Sequence, residues 1–448
     1  MSELRQINAR YVIPVRPADV VLENHSVVID EARILAVLPV EQARRRYPEA
    51  KAIDLSDHVL LPGLINMHTH SPMTLLRGFA DDLPLQEWLN GYIWPAETRF
   101  VSPEFVADGT RLAIAEMLRA GTTCFNDNYF FPDVMAEVSD QAGIRASIGL
   151  PIIELPTAWA GDVDEYLEKG LALLQNQTTS SLVTFTFAPH APYSVSDRTL
   201  ERVRNLSQEY QVPVHMHTLE TAWDIEHSLE VHGERPLERL HRLELLNRHL
   251  LAVHMTQITP DEMAQLADCS VQVIHCPQSN LKLASGICPV HELKKIGVNV
   301  ALGTDGVASN NDLDLLSEGQ TAAFLAKLQA GDAGFMNAFS TLEMMTINGA
   351  KALGMEGSLG SLEPGKWADL AALDLNTPET QPVFNVLSQL IYTAPSHQFT
   401  DVWVGGRRLL RNGHLETLDL PAIMDSTEAW RLKLSDKEWC KQTGTEAG

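Results

Sequence analysis

Short apolar runs alternate with amphipathic stretches along most of the chain. From residue 61 onward these runs are apolar almost throughout, as expected for strands that are covered on both faces. Stretches between them, such as 107–119 and 198–210, carry apolar residues at helical spacing. The runs span residues 61–67, 121–127, 144–150, 183–189, 212–217, 250–254, 271–276 and 298–303. Eight strand–helix units predict an α/β fold, a TIM-type (β/α)8 barrel.

A different pattern marks the two ends of the chain. Residues 1–60 contain one helical pattern and short Val- and Ile-rich segments separated by turn residues, which predict strands at 9–15, 20–29 and 33–39. Residues 363–448 begin with a turn at Pro364-Gly365 and include a hairpin pattern that turns at Asn412-Gly413. Neither end is long enough to bury a large core alone. We therefore predict that the two ends pair into a small β-sandwich beside a barrel that spans 61–362.

The charge and cysteine content restrict the class of protein. A net charge of −24 and a pI near 5.0 argue against nucleic-acid or anionic-membrane partners. The chain has no apolar stretch of membrane-spanning length, and its N-terminus lacks the apolar region of a signal peptide. The five cysteines are odd in number and lack CxxC spacing. This usage favours reduced thiols and a cytoplasmic location.

Histidines are concentrated at the ends of the predicted strands. The first run ends in His68-Thr69-His70, whose two histidines share one face because alternate residues of a strand point the same way. Other runs end in His190, His215 with His217, His254, His275 and Asp305. The chain has only 16 histidines, so this placement is not expected by chance. Since functional residues of such barrels lie at the carboxyl ends of strands, we predict a metal site there.

Four of these side chains form a plausible ligand set. We predict that His68, His70, His217 and Asp305 hold one divalent metal ion per subunit. Three imidazoles and a carboxylate with an open position fit catalytic Zn²⁺, and Fe²⁺ is an alternative. His215 has the same parity as His217 but lies farther from the strand end, which favours a supporting role.

Acid–base candidates follow directly from the ligand positions. Glu220 lies three residues beyond His217, where a carboxylate can reach a substrate without binding the metal. The alternative for Glu220 is a helix cap or a salt bridge. His254 could orient or polarise a water molecule, and Asp305 could accept a proton from it. The long connection after the first run contains an aromatic segment, 83–101, which we expect to form a lid over the site.

Several motifs together resemble the amidohydrolase superfamily. They are PGLINMHTHSPMTLLRG, HMHTLE, HCPQSN and LGTDG. The chain is most similar to the branch of 5′-methylthioadenosine/S-adenosylhomocysteine deaminases and the related triazine hydrolases. The resemblance implies metal-dependent hydrolytic deamination of a small nucleoside by a homo-oligomer, a dimer or a tetramer. It also implies that Glu97 and His190 bind the nucleoside, with Glu97 accepting hydrogen bonds from the ribose diol.

One departure from the resemblance bears on the substrate. Residues 147–155 read SIGLPIIEL, without the arginine that relatives handling a charged amino-acid tail often carry after the third strand. This favours 5′-methylthioadenosine, converted to 5′-methylthioinosine and ammonia, over S-adenosylhomocysteine, with adenosine as another possible substrate.

Two other functions remain open. One is a guanine or pyrimidine deaminase, or an aminotriazine hydrolase, that uses the same metal site. A free base has no diol for Glu97 to bind, which weighs against this alternative. The other is a non-catalytic metal-binding or scaffold protein, against which the intact set Glu220, His254 and Asp305 argues.

Overall fold

The computed structural model describes residues 4–176 and 181–435 of the chain. The last residues of the predicted C-terminal segment, 436–448, which include Cys440, lie outside the described residues. In chain order the strands are β1 (Arg5–Val12), β2 (Leu22–Asp30), β3 (Arg33–Pro39), β4 (Lys51–Pro62), β5 (Leu64–Thr69), β6 (Thr122–Asn128), β7 (Arg145–Ile152), β8 (Val183–Pro189), β9 (Val214–Thr218), β10 (Leu250–His254), β11 (Gln272–His275), β12 (Asn299–Leu302), β13 (Leu370–Asp374), β14 (Phe399–Val404), β15 (Arg407–Arg411) and β16 (His414–Leu415).

Most helices alternate with the barrel strands, and α1 and α17 belong to the two ends of the chain. The α-helices are α1 (Val40–Arg46), α2 (Leu85–Trp88), α3 (Trp94–Phe100), α4 (Pro103–Arg119), α5 (Pro132–Ala142), α6 (Val163–Gln175), α7 (Asp197–Tyr210), α8 (Ala222–His232), α9 (Pro236–Arg242), α10 (Pro260–Asp268), α11 (Pro277–Lys282), α12 (Val290–Lys295), α13 (Leu315–Ala330), α14 (Ala338–Met345), α15 (Ile347–Ala352), α16 (Val386–Tyr392) and α17 (Leu420–Leu434). Shorter 3₁₀ turns span Ser71–Leu76, Pro192–Ser194 and Ser396–Gln398, and a π-helical turn spans Leu89–Ile93. None of the described helices is long and apolar enough to cross a membrane.

The eight strands β5–β12 form the predicted barrel. Each pairs in parallel with the next strand along the chain. The segment after β12 returns to β5, where the Asp305 amide donates to the His68 carbonyl at 2.9 Å. The strands are buried almost throughout, which explains their continuous apolar sequences. The (β/α)8 architecture is therefore confirmed.

The two chain ends pair with each other, as the sequence predicts. They form one sheet in the order β16-β15-β14-β13-β4-β1-β2-β3, in which only β1 and β4 are parallel. A bridge between Arg33 and Trp367 brings the edge strand β3 back toward β13, so the sheet folds over a core of its own. This core includes Ile7, Val27 and Trp403. The division at residues 60/61 and 362/363 stays a prediction.

A close approach fixes the junction between the terminal sheet and the barrel. Gly63 is the single residue between β4 and β5. A Cβ atom at this position would lie 2.1 Å from the Thr123 side chain on β6, so any larger residue would displace the neighbouring strand. The junction places the start of β5, and therefore His68 and His70 at its end, in a defined position relative to β6.

A buried ion pair also joins the barrel to the terminal sheet. Arg145 at the start of β7 donates to the two Asp369 carboxylate oxygens at 2.9 and 3.2 Å. Both side chains are nearly inaccessible to solvent. Asp369→Asn keeps the side-chain volume but leaves the guanidinium charge of Arg145 unpaired. We expect the free energy of unfolding to fall by about 3–5 kcal/mol in urea denaturation.

The exposed pair Arg431–Glu428 on α17 provides the matched control for this prediction. Glu428→Gln removes the same kind of charge at the surface, where ion pairs contribute only about 0–1 kcal/mol. Equal, small losses in the two variants would contradict a stabilising role for the buried pair.

Candidate metal centre and active site

A cavity of about 530 Å³ opens at the carboxyl ends of the barrel strands. Of the eight predicted site residues, His68 alone lies beneath the cavity wall, fully buried, and the other seven line the cavity. They are His70, Glu97, His190, His217, Glu220, His254 and Asp305. The structure therefore brings all the predicted site residues together around one space.

The predicted lid forms one wall of this cavity. Helices α2 and α3 and the π-helical turn between them contribute apolar side chains, among them Trp88, Ile93 and Trp94. Another part of the wall includes Ile152, the last residue of the third barrel strand β7, and Ile153, which follows it. Such a wall excludes water from a bound substrate and strengthens the electrostatic interactions inside the site.

His68, His70, His217 and Asp305 form a tight cluster at the bottom of the cavity. One ligand atom from each residue lies within 4.8 Å of the others. Asp305 Oδ1 lies 3.2 Å from His68 Nε2 and 3.3 Å from His70 Nε2. The Nε2 atoms of His70 and His217 are 3.3 Å apart. These four atoms converge on a common point.

The partners of the other ring nitrogens show that this cluster fits a cation. His70 Nδ1 donates to the Asn128 carbonyl at 2.6 Å, and His217 Nδ1 donates to the His190 carbonyl at 2.7 Å. With the proton on Nδ1, each neutral ring presents its Nε2 lone pair to the cluster, the usual arrangement of metal-ligating histidines.

His68 provides a second indication that the cluster fits a cation. Its Nδ1 lies 2.8 Å from His215 Nε2, so His215 contacts a cluster residue from behind. Its Nε2 is buried and makes no hydrogen bond among the described residues, although Asp305 Oδ1 lies 3.2 Å away. A buried nitrogen without a hydrogen bond is costly, and a metal ion at the cluster would satisfy it.

Asp305 is held so that one carboxylate oxygen faces the cluster. Ser279 Oγ donates to Oδ2 at 2.6 Å and Ser309 Oγ donates to the same atom at 3.2 Å. Oδ1 accepts from the Gly306 amide at 2.8 Å and faces His68 and His70. The backbone of Asp305 has a positive φ of 64°. Positive φ is uncommon for a residue other than glycine, and such conformations cluster at functional sites.

Glu220 and His254 lie beside the cluster and face each other. Glu220 Oε2 is 3.6 Å from His254 Nε2. Burial raises the pKa of Glu220 well above its usual range, and the nearby carboxylates of Asp305 and Asp224 add to this effect. A raised pKa favours the protonated form of Glu220, which can donate a proton.

Glu220 neither caps a helix nor forms a salt bridge with a lysine or arginine among the described residues. Asp224 caps helix α8, since its carboxylate accepts from the Glu220 and Thr221 amides at 2.8 and 3.0 Å. Among the described residues, no lysine or arginine forms a salt bridge with Glu220. Its side chain points instead into the cavity.

Glu97 and His190 also line the cavity but are not part of the four-residue cluster. Glu97, on the lid helix α3, accepts a hydrogen bond from the Tyr129 hydroxyl at 2.7 Å. Burial raises the pKa of Glu97 to about 7. Burial lowers the pKa of His190 to about 4, so its ring is neutral at physiological pH. Both side chains are placed to contact a polar part of a ligand.

The segment that follows β7 lines the cavity with apolar side chains, and its one carboxylate, Glu154, does not face the cavity. Ile152, Ile153, Leu155 and Pro156 line the cavity here. The carboxylate of Glu154 turns away and accepts from the Ser196 amide and hydroxyl at 2.9 and 2.5 Å. Among the described residues, no lysine or arginine lines the cavity. This part of the site is apolar and carries no cation.

Sequence reasoning missed several residues that the structure places at the site. Tyr129 directly follows the second barrel strand and could have been found by the strand-end rule. Ser279 and Asn280 belong to the HCPQSN motif, which carried the resemblance without an assigned role. Ser309 gives no recognisable signal, because its function depends on its contact with Asp305.

Comparisons with known proteins agree with this geometry. The sequence signature of the Amidohydrolase family matches residues 59–409. The 5-methylthioadenosine/S-adenosylhomocysteine deaminase of Teredinibacter turnerae is 48% identical over 431 residues, which cover 96% of this chain and 98% of that protein.

Two solved structures are similar over almost the whole chain. An adenosine deaminase from Xanthomonas campestris with bound zinc is 52% identical, with a TM-score of 0.95, and the match covers 96% of this chain and 98% of that one. The atrazine chlorohydrolase of Arthrobacter aurescens, in complex with zinc, is 24% identical with a TM-score of 0.89, covering 95% and 99%. The second likeness extends to the fold alone.

Proposed function

Because the chain belongs to the amidohydrolase family, we propose that it hydrolytically deaminates an adenine nucleoside, with 5′-methylthioadenosine as the preferred substrate. The products are 5′-methylthioinosine and ammonia. The observation that carries the proposal is the arrangement of the cavity. A three-histidine, one-aspartate cluster lies at its bottom beside Glu220, whose pKa is raised by burial, and a second acidic side chain, Glu97, lies on its wall.

His68, His70, His217 and Asp305 would hold one divalent ion, with Zn²⁺ as the first candidate and Fe²⁺ as the second. When bound, such an ion lowers the pKa of a coordinated water to about 7 and supplies a nucleophile at neutral pH. The zinc in the similar adenosine deaminase supports this choice.

The remaining side chains move and hold protons. Asp305 accepts a proton from the attacking water. Glu220, whose protonated form is favoured by burial, delivers a proton to ring N1 as water attacks C6. His254 faces Glu220 and stabilises the charge that develops on the adenine ring of the substrate. A second proton transfer then releases ammonia.

The cavity wall binds the rest of the nucleoside. Glu97 accepts hydrogen bonds from the two ribose hydroxyls, and Tyr129 holds its carboxylate in place. His190 lies close enough to the cluster, with its ring 4.9 Å from that of His217, to contact the same substrate. The apolar lid and the end of β7 surround the 5′ group. The absence of lysine and arginine among the described lining residues supports a small uncharged 5′ substituent over the charged tail of S-adenosylhomocysteine.

The alternative functions fit these observations less well. A guanine, a pyrimidine or an aminotriazine has no diol to donate to Glu97, whose side chain would keep only its hydrogen bond from Tyr129. A non-catalytic scaffold has no need of the raised pKa of Glu220 beside a metal-binding cluster.

The role of Glu97 is tested by combining a substitution with a substrate change. Glu97→Ala should lower kcat/KM for 5′-methylthioadenosine. The corresponding loss of transition-state stabilisation should be about 1.5–3 kcal/mol, the usual range for a hydrogen bond to a charged group. The 2′,3′-dideoxy analogue should be a poor substrate for the wild type and lose little more in the variant. Such non-additivity indicates direct contact between Glu97 and the diol. Equal losses for both substrates would remove Glu97 from the ribose site.

We also propose a cytoplasmic homo-oligomer, a dimer or a tetramer, without nucleic-acid or membrane partners. The net charge of −24 supports the absence of polyanionic partners. The described cysteines, Cys124, Cys269, Cys276 and Cys288, are all free, which supports a reducing location. The oligomer rests on the resemblance to the deaminases, and light scattering of the purified protein measures it.

A further inference from the structure

The last residue of the HCPQSN motif, Asn280, contacts His254 on the side of the ring that faces away from Glu220. Helix α11 begins directly after this motif's cysteine and carries Asn280, whose side chain is only 1% exposed. Its amide nitrogen Nδ2 lies 3.0 Å from His254 Nδ1. His254 is also buried, so this contact is shielded from water. A buried hydrogen bond of this kind constrains both partners strongly.

The direction of this hydrogen bond determines where the imidazole carries its proton. An amide nitrogen can only donate, so His254 Nδ1 must accept and cannot carry a proton. The neutral ring then holds its proton on Nε2. Nε2 is buried, makes no hydrogen bond among the described residues, and faces Glu220 Oε2 at 3.6 Å.

We propose that Asn280 is a positioning residue that sets the tautomer of His254, so that Nε2–H is presented to the substrate as a hydrogen-bond donor. The catalytic part of this inference rests on the proposed function, in which His254 stabilises charge on the ring. The tautomer itself follows from the amide orientation in the structure, with Nδ2 directed at the ring. Without Asn280, the ring could place its proton on either nitrogen, and only one of these forms donates toward the cavity.

The opposite amide orientation makes a different prediction. If Asn280 Oδ1 faced the ring, Nδ1 would carry the proton and Nε2 would present a lone pair to the cavity. In the structure, Oδ1 is buried and has no hydrogen-bond partner among the described residues. Substitution by aspartate separates the two orientations, because an ionised carboxylate accepts at both oxygens.

The kinetic test compares Asn280→Asp with Asn280→Ala in zinc-loaded protein. Aspartate forces a proton onto Nδ1, so we expect kcat for 5′-methylthioadenosine to fall about 10²-fold or more. Alanine permits both tautomers and should cost about tenfold. KM and zinc content should stay close to those of the wild type. If Asn280 only filled space, the isosteric aspartate would be milder than alanine, and that ranking would overturn the proposal.

A spectroscopic test reads the tautomer without any substrate. In protein labelled with ¹⁵N-histidine, the His254 signal is identified by its loss in His254→Gln. We expect a signal of the Nε2-protonated ring in the wild type and of a ring protonated at Nδ1 in Asn280→Asp. Asn205→Asp, an exposed change of the same charge on α7, should leave both signal and kcat unchanged. A wild-type ring protonated at Nδ1 would refute the proposal even if the enzyme proved to act on another substrate.

Discussion

Asp305→Ala should reduce kcat for 5′-methylthioadenosine by at least about 10³-fold. Asp305 Oδ1 converges with the Nε2 atoms of His68 and His70, so the substitution removes a ligand from the metal centre. It also removes the group that accepts a proton from water. Metal ions supply several kcal/mol of transition-state stabilisation, and each 1.36 kcal/mol corresponds to a factor of about ten in rate. Steady-state kinetics and elemental analysis of the same sample measure both effects.

His68→Ala separates the two roles of Asp305, because it removes a ligand and leaves the proton acceptor in place. It should also lose activity, together with metal. Asp164→Ala, an exposed carboxylate on α6, is the matched control and should leave kcat and metal content unchanged. Chelation should abolish turnover in the wild type, and added Zn²⁺ or Fe²⁺ should restore it. Full turnover by protein shown to be free of metal would exclude this metal centre.

Glu220→Gln should lower kcat by about 10²–10⁴-fold, the range that general acid–base catalysis contributes. The amide has nearly the shape of the carboxyl group, but it cannot deliver a proton to the substrate. Because Glu220 is not one of the four converging ligands, metal content should stay near that of the wild type. Binding of 5′-methylthioinosine should change little.

Glu226→Gln, an exposed change on helix α8, provides the control for this prediction and should have wild-type activity. Loss of metal from Glu220→Gln would instead make Glu220 a ligand. A drop in the free energy of unfolding as large as that of Asp369→Asn would make it a structural residue. Either result would remove Glu220 as the proton donor.

The barrel strands could be predicted from sequence because burial on both faces leaves almost continuous apolar runs. The first strand of the terminal sheet is predicted less accurately from sequence, because the pattern favours residues 9–15 whereas β1 spans Arg5–Val12. Its early residues include Gln6 and Asn8, which are polar but buried. Asn8 donates to Asp54, so a contact between distant segments, invisible in the local pattern, permits this burial.

Some residues of the candidate site can likewise be predicted from the local sequence, and others cannot. The converging histidines and Asp305 follow a positional rule, since each lies at or just after the end of a barrel strand. Glu97 lies on a lid helix, where a carboxylate has no local signal, and only the resemblance identified it. The contacts of Asn280 with His254 and of Tyr129 with Glu97 join residues 26 and 32 positions apart. Such pairs become visible only once the chain is folded.

Ammonia release from a panel of amino-substituted compounds tests the central claim most directly. The zinc-loaded protein is given 5′-methylthioadenosine, S-adenosylhomocysteine, adenosine, guanine, cytosine and an aminotriazine at matched concentrations. We predict the highest kcat/KM for 5′-methylthioadenosine, with one ammonia and one 5′-methylthioinosine formed for each molecule consumed. Turnover of guanine, cytosine or the aminotriazine, with 5′-methylthioadenosine left intact, would contradict the account.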